Sequence, residues 1–71
     1  MADGLLSDRE REILNWFSKG KSTSDVGTIL NISPSTVAFH YRSAALRLGT
    51  SNRTQTVVEA IRRGEIKIDA G

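Results

Sequence analysis

The 71-residue sequence predicts an all-α fold of four short helices, and three observations carry that prediction. Each of four stretches opens on side chains able to cap a helix and ends at Gly20, Asn31, Gly49 or Gly64. Each carries apolar residues three or four apart. The two-residue alternation of a strand is confined to Glu65-Ile66-Lys67-Ile68, where a short extended piece is expected.

Ser7-Asp8-Arg9-Glu10 has the S-x-x-E form of a capping box and opens a helix to about Ser18, with Ile13, Leu14 and Phe17 on one face and Trp16 at its edge. Ser22-Thr23-Ser24-Asp25 offers caps and a first-turn acid for a second, short helix carrying Val26, Ile29 and Leu30. Ser33-Pro34 is the strongest local signal, an N-cap serine followed by proline at the first helical position. The helix it starts closes at Gly49, and at about 100° per residue Val37, Tyr41, Ala44 and Leu48 form its inner stripe. Asn52-Arg53-Thr54-Gln55 reads as a further capping box, opening a helix through Val57, Ala60 and Ile61.

A chain of this length holds one small domain with a modest core. It has no cysteine, so disulfides and thiolate metal sites are excluded. One histidine and scattered acids make no metal or cofactor cluster, and no nucleophile–base pair or phosphate loop suggests an enzyme. No apolar run approaches the roughly 18 residues of a membrane span, and MADGLLSDRE has no signal-peptide pattern, so a cytoplasmic protein is expected. The net charge is only +2, but its distribution is uneven. Asp3, Asp8, Glu10, Glu12 and Asp25 precede, and Glu59, Glu65 and Asp69 follow, an acid-free interval from Val26 to Val58 that contains Arg42, Arg47 and Arg53. A basic central surface suits a polyanion.

The second and third helices, joined by Asn31-Ile32-Ser33, read as a helix-turn-helix, whose second helix lies in the DNA major groove. Gly27 costs about 1 kcal/mol relative to alanine inside a helix; close approach of the crossing helix near Val37 would explain it, and so would tolerance at an exposed position. The third helix has an unusual outer side, where Phe39 lies beside Arg42, Ser43 and Leu46.

In this order the motifs resemble the LuxR-type DNA-binding domain of quorum-sensing and response-regulator transcription factors. Leu6-Ser7-Asp8-Arg9-Glu10-Arg11-Glu12-Ile13-Leu14 resembles the family's L-T-x-R-E-x-E-V-L, and Gly20-Lys21-Ser22 with Asp25-Val26 its G-K-S/T-x-x-E-I. Ile32-Ser33, Thr36-Val37 and His40 are similar to I-S-x-x-T-V-x-x-H, and Leu48-Gly49 with Asn52-Arg53-Thr54-Gln55 to K-L-G-V-x-N-R-T-Q. The chain departs at Gly27, usually Ala, at Ala38, often Lys or Asn, and at Leu46, commonly Arg or Lys.

The resemblance implies a four-helix domain over 6–66, with tails at 1–5 and 67–71, and base contacts from Ala38, Phe39 and Arg42 on a helix spanning about 34–48. Physical chemistry agrees: Arg42 can fork onto guanine O6 and N7, and Ala38 and Phe39 can pack on thymine methyls. Phe39 and Leu46 could instead pack on a neighbouring domain or partner. Ser35 and Thr36, at a helix start, suit a phosphate, although Thr36 could serve only its own first turn. Lys21 and Arg53 are candidate phosphate clamps or ordinary solvated charges. His40, next to the inner stripe, reads as a packed histidine. Val57 and Ile61 are assigned to the core. Thr54 and Val58 are assigned to a dimer seam, which would place two recognition helices about 34–36 Å apart on an inverted repeat.

Double-stranded DNA and a second copy are the partners so implied, with RNA polymerase a candidate, and no small-molecule ligand within this segment. The upstream sensor that such regulators usually carry does not fit before Leu6, so the chain is expected to be an excised domain or a short sensor-free regulator. Two other readings compete: a sigma-factor-like domain, which shares the L-x-x-R-E-R opening, and an interaction module that pairs with and inhibits full-length relatives, motivated by Ala38 and Leu46.

Overall fold

The computed structural model describes residues 4–68. The outermost parts of the two tails, 1–3 and 69–71, and with them Asp3 and Asp69, lie outside the described residues. Four helices follow in order: α1 (Asp8–Ser18), α2 (Thr23–Leu30), α3 (Pro34–Leu48) and α4 (Arg53–Arg62). No strand occurs among the described residues, so the alternation at 65–68 does not become an extended piece. Ile66 instead turns inward and is buried in the core.

Local chemistry fixes each start. The Ser7 hydroxyl accepts the Glu10 amide at 3.1 Å while the Glu10 carboxylate accepts the Ser7 amide at 2.9 Å. Ser22 and Asp25 repeat this reciprocal pair at α2. Ser33 caps α3 through the Thr36 amide, with Pro34 following. At α4 only half of the expected box forms. The Asn52 side chain accepts the Gln55 backbone amide at 2.9 Å, but the Gln55 side-chain Oε1 reaches one residue further back, accepting from the amide and hydroxyl of Ser51. Gly49 ends α3 at φ +70°, a left-handed value that a side chain would disfavour.

α1 and α3 each pack against the three other helices, whereas α2 and α4 do not touch. The shared core consists of Ile13, Leu14 and Phe17 of α1, Val26 of α2, Val37, Ala44 and Leu48 of α3, and Ala60 of α4, closed by Leu6 and Ile66 from the flanks. Tyr41 sits at the rim, half-buried, its ring edge-on to Phe17 at 5.9 Å. Ile29 departs from expectation: it is exposed, because the inward arc of the eight-residue α2 is centred on Val26, Gly27 and Leu30. Thr56 is fully buried with its hydroxyl satisfied, bonded to the Asn52 carbonyl and the Thr50 hydroxyl, each at 2.7 Å.

Gly27 is buried, and close approach does explain it, but the neighbour is the turn rather than the helix near Val37. A Cβ there would lie 2.7 Å from the Ile32 carbonyl oxygen and 3.4 Å from the Pro34 nitrogen. The angle between α2 and α3 therefore depends on the missing side chain. Gly27→Val is expected to destabilise the domain by about 1–3 kcal/mol, the usual cost of overpacking. Urea denaturation checks this, and an unchanged midpoint would mean that the turn yields freely.

Candidate nucleic-acid interface

The candidate interface comprises α2, the three-residue turn 31–33 and α3. Asn31 makes the turn sharp by adopting φ 60°, a left-handed conformation that asparagine tolerates better than most residues. With the inner stripe of α3 buried, Ser35, Phe39, Arg42 and Leu46 fall within a strip roughly 60° wide on its outer side. All four are exposed, Phe39 at 61% and Leu46 at 82%. Ala38 lies beside them, half-buried.

Charge pairing singles out one residue of this strip. Five of the seven arginines pair with carboxylates: Arg9 with Glu12, Arg11 with Asp8 and Glu65, Arg47 with Glu10, and Arg62 and Arg63 with Glu59. Arg53 rests on an aromatic ring. Arg42 alone among the arginines has no hydrogen-bond, ion-pair or ring partner among the described residues. An unpaired guanidinium beside a bare phenyl ring is chemistry suited to a base edge that offers paired acceptors next to an apolar group.

At the start of α3 three hydroxyls cluster. Ser33 lies 3.2 Å from Ser35 and 2.9 Å from Thr36, oxygen to oxygen. Thr36 does serve its own first turn, yet a hydroxyl has one donor and two acceptor positions, so the cluster retains capacity toward a phosphate. Lys21 and Arg53, far apart in sequence, are brought together: the Arg53 Nη2 donates to the Lys21 carbonyl. His40 is half-buried, its ring edge-on to Phe39 with centroids 5.4 Å apart. Thr54 and Val58 both lie on the exposed side of α4, Val58 at 50%, while Val57 and Ile61 pack half-buried on the core.

Arg47 does not belong to the outward basic surface that the acid-free interval suggested. Its Nη1 donates to the Glu10 carboxylate at 2.5 Å, and Glu10 is buried beneath it. Burial pushes this carboxyl up, but the Ser7 amide, the Ser43 hydroxyl, the Arg47 charge and the Ser7 hydroxyl outweigh it and hold Glu10 below the ordinary value of 4.5. Glu65 is similar: burial pushes it up, while the Leu5 amide, Arg11 and the Leu6 amide hold it low. Sequence reasoning missed both roles. The capping box had already accounted for Glu10, and no local pattern links it to a residue on α3.

Because the fold keeps these two carboxyls more acidic than the unfolded chain does, protons favour unfolding. Stability is therefore expected to be full above pH 4.5 and to fall as pH drops through the lower folded values. Urea midpoints measured against pH check this, and Glu10→Gln should flatten the acid limb. An acid limb identical to that of the wild type would contradict the role of Glu10.

A capped helix, a sharp three-residue turn and a second capped helix with an unpaired arginine on its outer face define the helix-turn-helix class. The sequence pattern of the bacterial regulatory proteins of the luxR family (GerE) matches residues 4–60, and the chain belongs to that family. It is the helix-turn-helix DNA-binding domain of a transcription regulator, not an enzyme. The chain is 45% identical over 65 residues to the transcriptional activator protein LuxR of Aliivibrio fischeri, covering 92% of this chain and 26% of that protein. It is 43% identical over 65 residues to the transcriptional activator protein SolR of Ralstonia solanacearum, covering 92% and 28%.

Among solved structures, that of the transcription factor GerE matches with a TM-score of 0.90 at 39% identity, covering 94% of this chain and all of that one. SdiA of Escherichia coli matches with a TM-score of 0.79 at 35% identity, covering 90% of this chain and 27% of that one. The chain thus spans about a quarter of the length of the curated relatives it matches. Family membership sets the sigma-factor reading aside. Among the described residues no helix is long and apolar enough to cross a membrane.

Proposed function

We propose that the domain binds duplex DNA sequence-specifically as a homodimer on an inverted repeat, with α3 in the major groove. The observation that carries this reading is the outer strip of α3, where an unpaired Arg42 stands beside an exposed Phe39. Arg42 reads a guanine by its O6 and N7, and Ala38 and Phe39 pack on thymine methyls. Ser35 and Thr36 at the helix start, with Lys21 and Arg53 on the flank, hold phosphates and fix the register. Thr54 and Val58 form the seam with the second copy. The domain so defined spans 6–66, and the relatives' activator names make RNA polymerase the next partner to test.

Guanine N7 faces the major groove and adenine N3 the minor groove, so methylation interference tests the groove directly. Premethylation at guanine N7 within the site is expected to block binding. Interference at adenine N3 alone would remove α3 from the major groove.

A further inference from the structure

Arg53 stands at the unfavourable end of its helix for a cation. As the first residue of α4 it adds positive charge where the helix dipole is already positive, and no acid occupies that turn. Its guanidinium carbon lies 3.9 Å from the centroid of the Phe17 ring. Phe17 is buried near the end of α1 and meets Tyr41 of α3 edge-on. One Nη of Arg53 reaches across to the Lys21 carbonyl. Lys21 immediately precedes Ser22, the N-cap of α2, and its own amide donates to the Trp16 carbonyl at 3.2 Å. A single side chain of α4 thus fastens the turn from which α2 starts, and fastens it to an aromatic pair shared by α1 and α3.

We propose that Arg53 is a positioning residue as well as a phosphate ligand: by resting on Phe17 and holding the Lys21 carbonyl, it fixes the turn so that Lys21 and Arg53 grip the DNA backbone as one unit. The inference rests on the duplex-binding reading above and assigns to one side chain two tasks that a lysine cannot combine. A planar guanidinium lies flat on a ring and still donates from its edge to a carbonyl, whereas an ammonium is a compact point charge that gives up one of these contacts to make the other. Charge at position 53 is then necessary without being sufficient.

A double-mutant cycle decides the matter, read by titrating a random-sequence duplex at several salt concentrations, with a thermal melt of each variant. Lys21→Ala leaves the carbonyl that Arg53 holds and is expected to weaken binding about tenfold, the scale of one hydrogen bond to a charged group, whereas Arg53→Ala also frees the turn that places Lys21 and is expected to weaken binding about a hundredfold. The double variant should weaken it little further than Arg53→Ala alone. Arg53→Lys, which keeps the charge, should resemble Arg53→Ala. Effects that multiply in the double variant, or an Arg53→Lys protein that binds like the wild type, would overturn the proposal. If Arg53→Ala melts too early to be titrated, Arg53→Lys combined with Lys21→Ala completes the same cycle. A wild-type chain that holds no duplex at any salt overturns the DNA-binding reading instead, so the two failures are distinguishable.

Discussion

Replacing Val58 by arginine is expected to leave the domain folded and to abolish paired occupancy of an inverted repeat. Val58 is half exposed and lies away from the side of α4 that buries Thr56 and Ala60, so the core does not register the change. The proposed two-fold seam would. In an isologous interface each substitution appears twice at one contact, and here two guanidinium groups would face each other across the axis. Linking two half-site modules strengthens binding by about 10²–10⁴ through effective concentration alone. Loss of the seam should therefore weaken binding to the full repeat by about a hundredfold, leaving single half-site binding nearly unchanged. Titrations against duplexes with one and two half-sites, together with sedimentation, give both numbers. Intact dimeric occupancy by Val58→Arg would remove α4 as the seam.

Arg42→Ala is expected to produce the largest change in sequence preference. A bidentate arginine–guanine contact contributes about 1–3 kcal/mol of discrimination, so preference at one base position should collapse by roughly ten- to a hundredfold. The remaining positions should keep their order. Lys21→Ala offers the contrast: a phosphate contact carries no sequence information, so it should weaken all duplexes alike and flatten the log–log salt slope by about one. If Arg42→Ala weakened every sequence equally, the strip formed by Ser35, Phe39, Arg42 and Leu46 would not be the one that reads bases.

The features of this fold that were legible in sequence are the local ones. Capping side chains act on amides two or three residues away, so Ser7, Ser33 and Asn52 announced three helix starts before any tertiary contact was known, and the run Ser22-Thr23-Ser24-Asp25 marked the fourth without naming the cap. The outward position of Phe39 and Arg42 followed from helical periodicity once Val37, Ala44 and Leu48 were placed inside. Pairings between distant residues were not legible. Arg47 had no acid within helical reach, and its partner Glu10 lies 37 residues away with its capping role already evident. Arg53 looked like a free cation until Phe17 was found beneath it.

Two smaller departures have the same origin. Ile66 read as half of an alternating pair, yet the end of α4 turns it into the core. Ile29 shares the three-and-four spacing of Val26 and Leu30 on α2, but the arc that α2 buries does not reach it. Gly27 lies between these cases: its cost predicted a reason, and only the structure supplied the Ile32 carbonyl as the neighbour. The departures at Ala38 and Leu46 bear on which bases are preferred, since each removes a polar or basic side chain from the outer side of α3 or its edge.

The central claim, that Ala38, Phe39 and Arg42 read bases while paired copies set the spacing, is tested most directly by selecting bound duplexes from a random-sequence pool with the purified chain. Low salt comes first and moderate salt second, so that backbone attraction is stripped away progressively. The account predicts enrichment of an inverted repeat whose half-sites lie about one helical turn apart, roughly 34–36 Å. Retention at low salt with no enriched sequence would contradict it: the cations would hold DNA, α3 would not read it, and a module that pairs with full-length relatives would become the better description.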